Sequence, residues 1–402
     1  MRSIVAVSEA LDDADDAVEE LMQQVEAAGP LCKNGLGLLF CDVELDHEEF
    51  MTKLKDRLPF DIAGFTGVAQ LDGGAGARIM AVTLAVLHGD DVGFGTSVTD
   101  VLTEDNLRGE LEASYARALA KAPKEEPKLV MLFTTAKGDM PVDDYLDTIS
   151  AACGDVPVFG GVPSSSMADR EAVIYADGHA YTDRAVVSVI TGNVRPVCSV
   201  RNVLTDLSPT AGIVTGSRGC VIRSVGDKSF VDFLRSIGMD VDGFMAQKDL
   251  SSYVSTPLKV NLSKGSYSDG IPTARTIKDL YTDGSGSLFG AVPEKSKVTL
   301  VTLKRQDIRE SSGAAIRDVT AKMAKEEEDG YKYSILLCIS CAGRFMVMAD
   351  DSDLEGKTLL ENMPEGVNMA GVYAFGEICP TMVTDGRALN RFHNESITMC
   401  AL

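Results

Sequence analysis

The stretch Gly366–Val367–Asn368–Met369–Ala370–Gly371–Val372–Tyr373–Ala374–Phe375–Gly376–Glu377–Ile378–Cys379–Pro380 reads as a short apolar strand that breaks into a glycine-punctuated loop carrying one acid, Glu377. Two earlier stretches have the same design: Pro59–Phe60–Asp61–Ile62–Ala63–Gly64–Phe65–Thr66–Gly67 and Val156–Pro157–Val158–Phe159–Gly160–Gly161–Val162–Pro163. Three occurrences predict a repeated unit whose glycines converge on one place. Around each lies a buried apolar run, Leu36–Cys41, Lys128–Thr134 and Tyr333–Ile339, which reads as a strand covered on both faces. Helical periodicity falls between run and glycine strand over 46–58, 142–153 and 358–362.

Asp177–Gly178 and Asp385–Gly386 are hairpin signals at matching places in the second and third copies, and Ala185–Ile190 is expected to pair back across the first of them. An amphipathic helix is predicted over 8–28, stopped by Gly29–Pro30, and others over 106–121, 230–237 and 308–328. Further strands fall at 78–87, 92–98, 213–215, 220–222, 258–262 and 298–303, with loops at Ser251–Ser252 and 282–287. Strand–helix–strand–hairpin units predict an α+β fold of mixed, largely antiparallel sheets with helices on their outer faces. Two domains are expected, 1–225 and 226–402, with the change between Pro209 and Phe230.

The chain has 402 residues, long enough for two full cores. Its 60 acidic residues against 38 Lys and Arg give a net charge of −22, which repels phosphate backbones and anionic lipid, so no nucleic-acid partner and no membrane insertion are expected. The opening Met1–Val7 lacks the apolar core of a signal peptide, and no apolar run reaches the roughly 18–20 residues of a membrane span. The nine cysteines lie mostly in apolar runs and are odd in number. That suits small core residues in a reducing cytoplasm better than disulfides.

Recognisable catalytic motifs are absent. Cys338 and Cys341 form a C-x-x-C at the end of an apolar strand without a second pair, so core packing is the simpler reading for Cys338, while Cys341 leaves the strand for a loop. Arg344 can bind an anionic group. Glu377 can take up an amine or hydroxyl, or pair with Arg344. His393–Asn394 precedes the last strand, where a lone histidine is more often hydrogen-bonded than a ligand. Asp351–Ser352–Asp353–Leu354–Glu355–Gly356 starts like a calcium loop but has Asn362 at the twelfth position, so an acidic helix entry explains it better.

These residues resemble the FIST family of bacterial sensory domains. The likeness is carried by Ser340–Cys341–Ala342–Gly343–Arg344, by Ala370–Ile378, by Phe392–His393–Asn394–Glu395–Ser396, and in the first half by Val156–Gly161 and Asp177–Gly178 ahead of Ala185–Val187. The resemblance implies a small-molecule sensor for a polar metabolite such as an amino acid, acting without an output domain of its own through a separate signalling protein. The ligand-binding set is Cys341, Arg344, Gly371, Tyr373, Glu377 and Asn394, with Gly160 and Gly161 allowing close approach. Two alternatives accompany it: a haem-binding gas sensor with His393 on the iron, and a thiol enzyme with Cys341 as nucleophile.

Overall fold

The computed structural model describes all residues except 124–125, 136–139, 166–170, 203, 248–253, 263–271, 329 and 383–387. The sequence pattern holds: mixed, mostly antiparallel sheets carry helices on their outer faces.

Three six-stranded sheets share one layout. In the first, the order is Arg2–Ser8, Val82–His88, Gly35–Cys41, Ile62–Thr66, Ile174–Ala176, His179–Tyr181. In the second it is Val92–Val98, Ala185–Gly192, Pro127–Thr134, Val158–Val162, Gly376–Met382, Ala388–His393. In the third it is Val197–Arg201, Ile397–Ala401, Ile335–Cys341, Asn368–Ala374, Gln70–Asp72, Gly76–Arg78. The central pair of each sheet is parallel, made by the buried run and the glycine strand; all other pairings are antiparallel.

The last two strands of every sheet come from another unit. The hairpin after the first glycine strand joins the third sheet, the one after the second joins the first sheet, and the one after the third joins the second sheet. The three units thus exchange hairpins in a closed cycle. This corrects one expectation. Asp177–Gly178 does turn a hairpin, with both φ angles positive (53° and 81°), but its partner is His179–Tyr181. Ala185–Gly192 lies in the second sheet, between Pro127–Thr134 and Val92–Val98. Sequence adjacency suggested the hairpin partner, whereas the exchange places it elsewhere. The Asp385–Gly386 and Ser251–Ser252 signals lie outside the described residues.

Alternation along the buried runs explains why they are apolar throughout. Leu36, Leu38 and Phe40, with Leu129, Met131 and Phe133, and Ile335, Leu337 and Ile339, meet in one core between the three sheets. The intervening Leu39 and Cys41, Val130 and Leu132, and Leu336 and Cys338 face outward under helices. Those helices are Ala14–Ala27 and His47–Arg57 on the first sheet, and Leu107–Lys121 and Val142–Cys153 on the second. On the third they are Arg305–Glu327, Ala342–Met348 and Leu354–Leu360. Asp13 caps the first of these, its carboxylate accepting from Asp15 N–H at 2.8 Å. The expected strand over 78–87 divides into Gly76–Arg78 and Val82–His88, because Met80 (φ 54°) breaks it.

The glycines do converge. Each pairs closely with the neighbouring strand: a Cβ would stand 1.8 Å from Leu39 O at Gly64, 1.9 Å from Leu132 O at Gly160 and 2.0 Å from Cys338 O at Gly371. Beyond them the strand ends bind one another. Ser164 N–H donates to Thr66 O (2.9 Å) and Phe375 N–H to Val162 O (3.0 Å). Ser164 Oγ donates to Tyr373 O (2.7 Å) and accepts from Val68 N–H (3.1 Å).

The third unit starts earlier than its apolar run suggests, at Val197–Arg201, and is interrupted by an insertion. The described residues of 205–302 form a fourth sheet, with helices Phe230–Ser236 and Val241–Gln247 and a core of their own around Phe230, Phe233, Leu258 and Leu300.

Candidate functional site

The sequence-derived residues fall into two buried clusters at the carboxyl end of Ile335–Cys341. The strand is followed by a helix, Ala342–Met348, where a loop was expected. Arg344 lies on it and is fully buried. Its partner is Glu355, which accepts from Nε (3.1 Å) and from Nη2. Nη2 also donates to Ser312 Oγ (2.9 Å), while Ser312 and Ser340 hydroxyls each donate to Glu355 at 2.5 Å. Tyr373 belongs to this cluster, its ring 4.9 Å from that of Phe345. Burial works against the charge of Arg344, but the Glu355 carboxylate raises its pKa above the ordinary guanidinium value. Glu355, which the sequence placed at an acidic helix entry, instead points inward as the counter-ion of a buried pair.

The second cluster holds Glu377, Glu395, Cys341, Ser396 and Asn394, all buried. Glu377 is in register with Gly161 and next to Ile378, which is in register with Gly160, so those glycines of the second unit line the same ladder. Glu377 Oε2 accepts from Ser396 Oγ (2.6 Å) and N–H (3.3 Å). Glu395 Oε1 accepts from Thr276 Oγ1 of the insertion at 2.6 Å. Glu377 Oε1, Glu395 Oε2, Asn394 Oδ1 and Arg344 Nη1 have no partner among the described residues. Buried polar atoms are normally paired, so these four are the candidates for contact with a bound polar group.

Burial pushes the Glu377 carboxyl well above its usual range, against the Ser396 hydrogen bond and with Glu395 adding repulsion. Burial also raises Glu395, to about 7, against the Thr276 hydrogen bond and the Arg344 charge. Cys341 is pushed up by burial and then by both carboxylates, so its thiol stays protonated. His393 lies on the neighbouring strand with Nε2 3.0 Å from Cys379 O, and burial lowers its pKa to about 3. Gly343 packs so closely that a Cβ there would stand 2.5 Å from Glu395 Oε1.

Glu395 was not singled out from sequence, although it stands within the Phe392–Ser396 stretch that carries the family likeness. Its backbone is left-handed (φ 53°), a conformation that costs a non-glycine residue about 1–2 kcal/mol. Ladder register places Gln70 and Ile174 where the third unit has Glu377. Counting back from the residues opposite Leu39, Leu132 and Cys338 puts Met80 and Asp183 where it has Glu395. Met80 repeats the left-handed backbone (φ 54°) but is 47% exposed. Only the third unit combines two acids at these positions, and there the insertion covers them.

Arg275 and Phe289 of the insertion secure that cover. Arg275 Nη2 donates to Asp143 (2.9 Å) and Nη1 to Phe392 O (3.2 Å), and Ala291 N–H donates to Asp143 (2.8 Å). The Phe289 ring lies 5.9 Å from that of Phe375.

Residues 35–228 match the FIST N domain and 235–380 the FIST C domain. The chain belongs to the FIST family. FIST domains are generally sensory domains that bind small ligands. No curated protein matches the chain. Cyanuric acid hydrolase from A. caulinodans is a similar solved structure, at 10% identity over 99% of this chain and 98% of that one, with a TM-score of 0.37. Both family matches reach into the insertion, which is where the two FIST domains divide. No described helix is long and apolar enough to cross a membrane.

Proposed function

We propose that this FIST protein is a small-molecule sensor whose ligand is an amino acid or similar amine-bearing metabolite, held between the third unit and the insertion. The observation that carries the reading is the set of unpartnered polar atoms. Glu377 Oε1, Glu395 Oε2 and Asn394 Oδ1 are acceptors, suited to an ammonium or several N–H groups. Arg344 Nη1 is a donor, suited to a carboxylate. A zwitterion supplies both. With its carboxylates in a dry site, a bound cation would displace protons from the pair, so binding is coupled to pH.

Entry requires Thr276 to part from Glu395, which makes the insertion the moving element and its outer surface the place where a separate signalling partner reads the bound state. The protonated Cys341 thiol weighs against nucleophilic catalysis. The commitment of His393 Nε2 to a backbone carbonyl weighs against a haem ligand there.

A thermal-shift panel of the free amino acids and their decarboxylated amines tests the reading. A rise in Tm with a subset of amines, lost in both Glu377→Gln and Glu395→Gln, is the expected result. If a stabilising compound works equally well on both variants, the site is elsewhere.

A further inference from the structure

A third cluster is built from sulfur and lies where the Gly376–Met382 strand of the second sheet meets the edge of the third sheet. Cys198 on Val197–Arg201 is directly opposite Cys400 on Ile397–Ala401 in the antiparallel ladder of the third sheet. Cys379, on the Gly376–Met382 strand of the second sheet, packs against them, its Sγ 3.6 Å from Ser199 O. Three of the nine cysteines therefore meet at one seam between two sheets. Facing residues of an antiparallel pair have Cα atoms about 4.5–5.5 Å apart, inside the range a disulfide spans.

The surroundings favour reaction at Cys198. It is half-buried, whereas Cys379 and Cys400 are buried. Lys322 places its ammonium at the same residue, donating to Cys198 O at 2.8 Å and to Asp318 at 2.8 Å. The neighbouring Cys379 and Cys400 thiols, and then the Lys322 charge, hold the Cys198 pKa well below the ordinary thiol value against the effect of burial. Cys379 is pushed up by burial and then by Cys198, and Cys400 by Cys198 and then by burial. One half-buried cysteine flanked by two buried ones is the arrangement of an attacking sulfur with resolving partners.

We propose that Cys198 is a peroxide-reactive thiol that closes a disulfide with a buried neighbour, Cys400 or Cys379. The Cys198 thiolate attacks one oxygen of hydrogen peroxide, the O–O bond breaks, and hydroxide leaves to take up a proton as water. Cys198 becomes a sulfenic acid. The neighbouring thiol gives up its proton and attacks the Cys198 sulfur, the S–O bond breaks, and a second water leaves. Two thiols and one peroxide yield one disulfide and two waters. Cys379 is two residues beyond Glu377 on one strand, so the bond forms beside the strand that carries the candidate ligand site, although the proposal does not depend on that site.

The test is treatment of the full chain with stoichiometric hydrogen peroxide, followed by alkylation and peptide mapping. Alkylatable thiols are expected to fall from nine to about seven, with Cys198 in the cross-linked peptide. Cys198→Ser is expected to keep its remaining thiols under the same treatment. Two results overturn the proposal: Cys198 recovered as free thiol after oxidation, or a Cys198→Ser variant that cross-links at the wild-type rate. Far-ultraviolet circular dichroism of the variant shows whether it is folded. If it is not, the wild-type map alone decides.

Discussion

Glu395→Gln isolates one consequence of burying two carboxyls together. The substitution keeps shape and volume, leaves Thr276 an oxygen to donate to, and removes the ability to ionise. In the folded wild type Glu395 keeps its proton up to about pH 7, while in the unfolded chain it loses it near 4.5. Because the folded value is the higher, its contribution to stability is full below pH 4.5 and disappears as the pH rises through 7. At 1.36 kcal/mol per pH unit the interval amounts to about 3 kcal/mol. The variant carries no such term, so its stability relative to wild type should rise by roughly 1–3 kcal/mol between about pH 5 and about pH 8. Urea unfolding of both proteins across that range measures the difference. If the two curves of stability against pH run parallel, Glu395 ionises as easily folded as unfolded, and the picture of a dry acid pair is wrong.

Alanine at Gly64, Gly160 or Gly371 puts a methyl within 2.0 Å of a strand carbonyl, so each should cost at least about 3 kcal/mol or prevent folding; a variant unfolding within 1 kcal/mol of wild type in urea would show that the strand pair can spread. Glu355→Leu strands the Arg344 charge and should cost about 3–5 kcal/mol, while Glu355→Leu with Arg344→Met should recover most of it by the same measurement. Failure of the double variant to recover would mean that Ser312 and Ser340, rather than the ion pair, set the stability of that cluster.

The strands, the outer helices and the threefold recurrence were legible because they are local. An apolar run followed by helical periodicity and a glycine strand needs no knowledge of the rest of the chain, and the same pattern occurs three times. The left-handed turn at Asp177–Gly178 was equally local. The partner of that hairpin was not legible, because a strand's own pattern says which of its faces is buried and nothing about which sheet buries it. The same limit applied to Arg344 and Glu377. Both acid and base were marked as unusual by their place after a buried strand, but pairing depends on helix packing, and it gave Arg344 to Glu355, eleven residues on and one helix away.

Local residue pattern is enough to set the unit: which residues form each strand, which faces are apolar, and that glycine must stand where two backbones approach. Tertiary structure decided the exchange of hairpins and the insertion of 205–302 into the third unit. It also decided the burial of Glu377 against Glu395. These depend on contacts between segments over a hundred residues apart in the chain, such as Thr276 with Glu395 and Arg275 with Asp143. A carboxylate acquires its chemistry from what surrounds it. For Glu395, burial, a threonine of the insertion and the charge of Arg344 set the balance, and none of these is written beside it in the sequence.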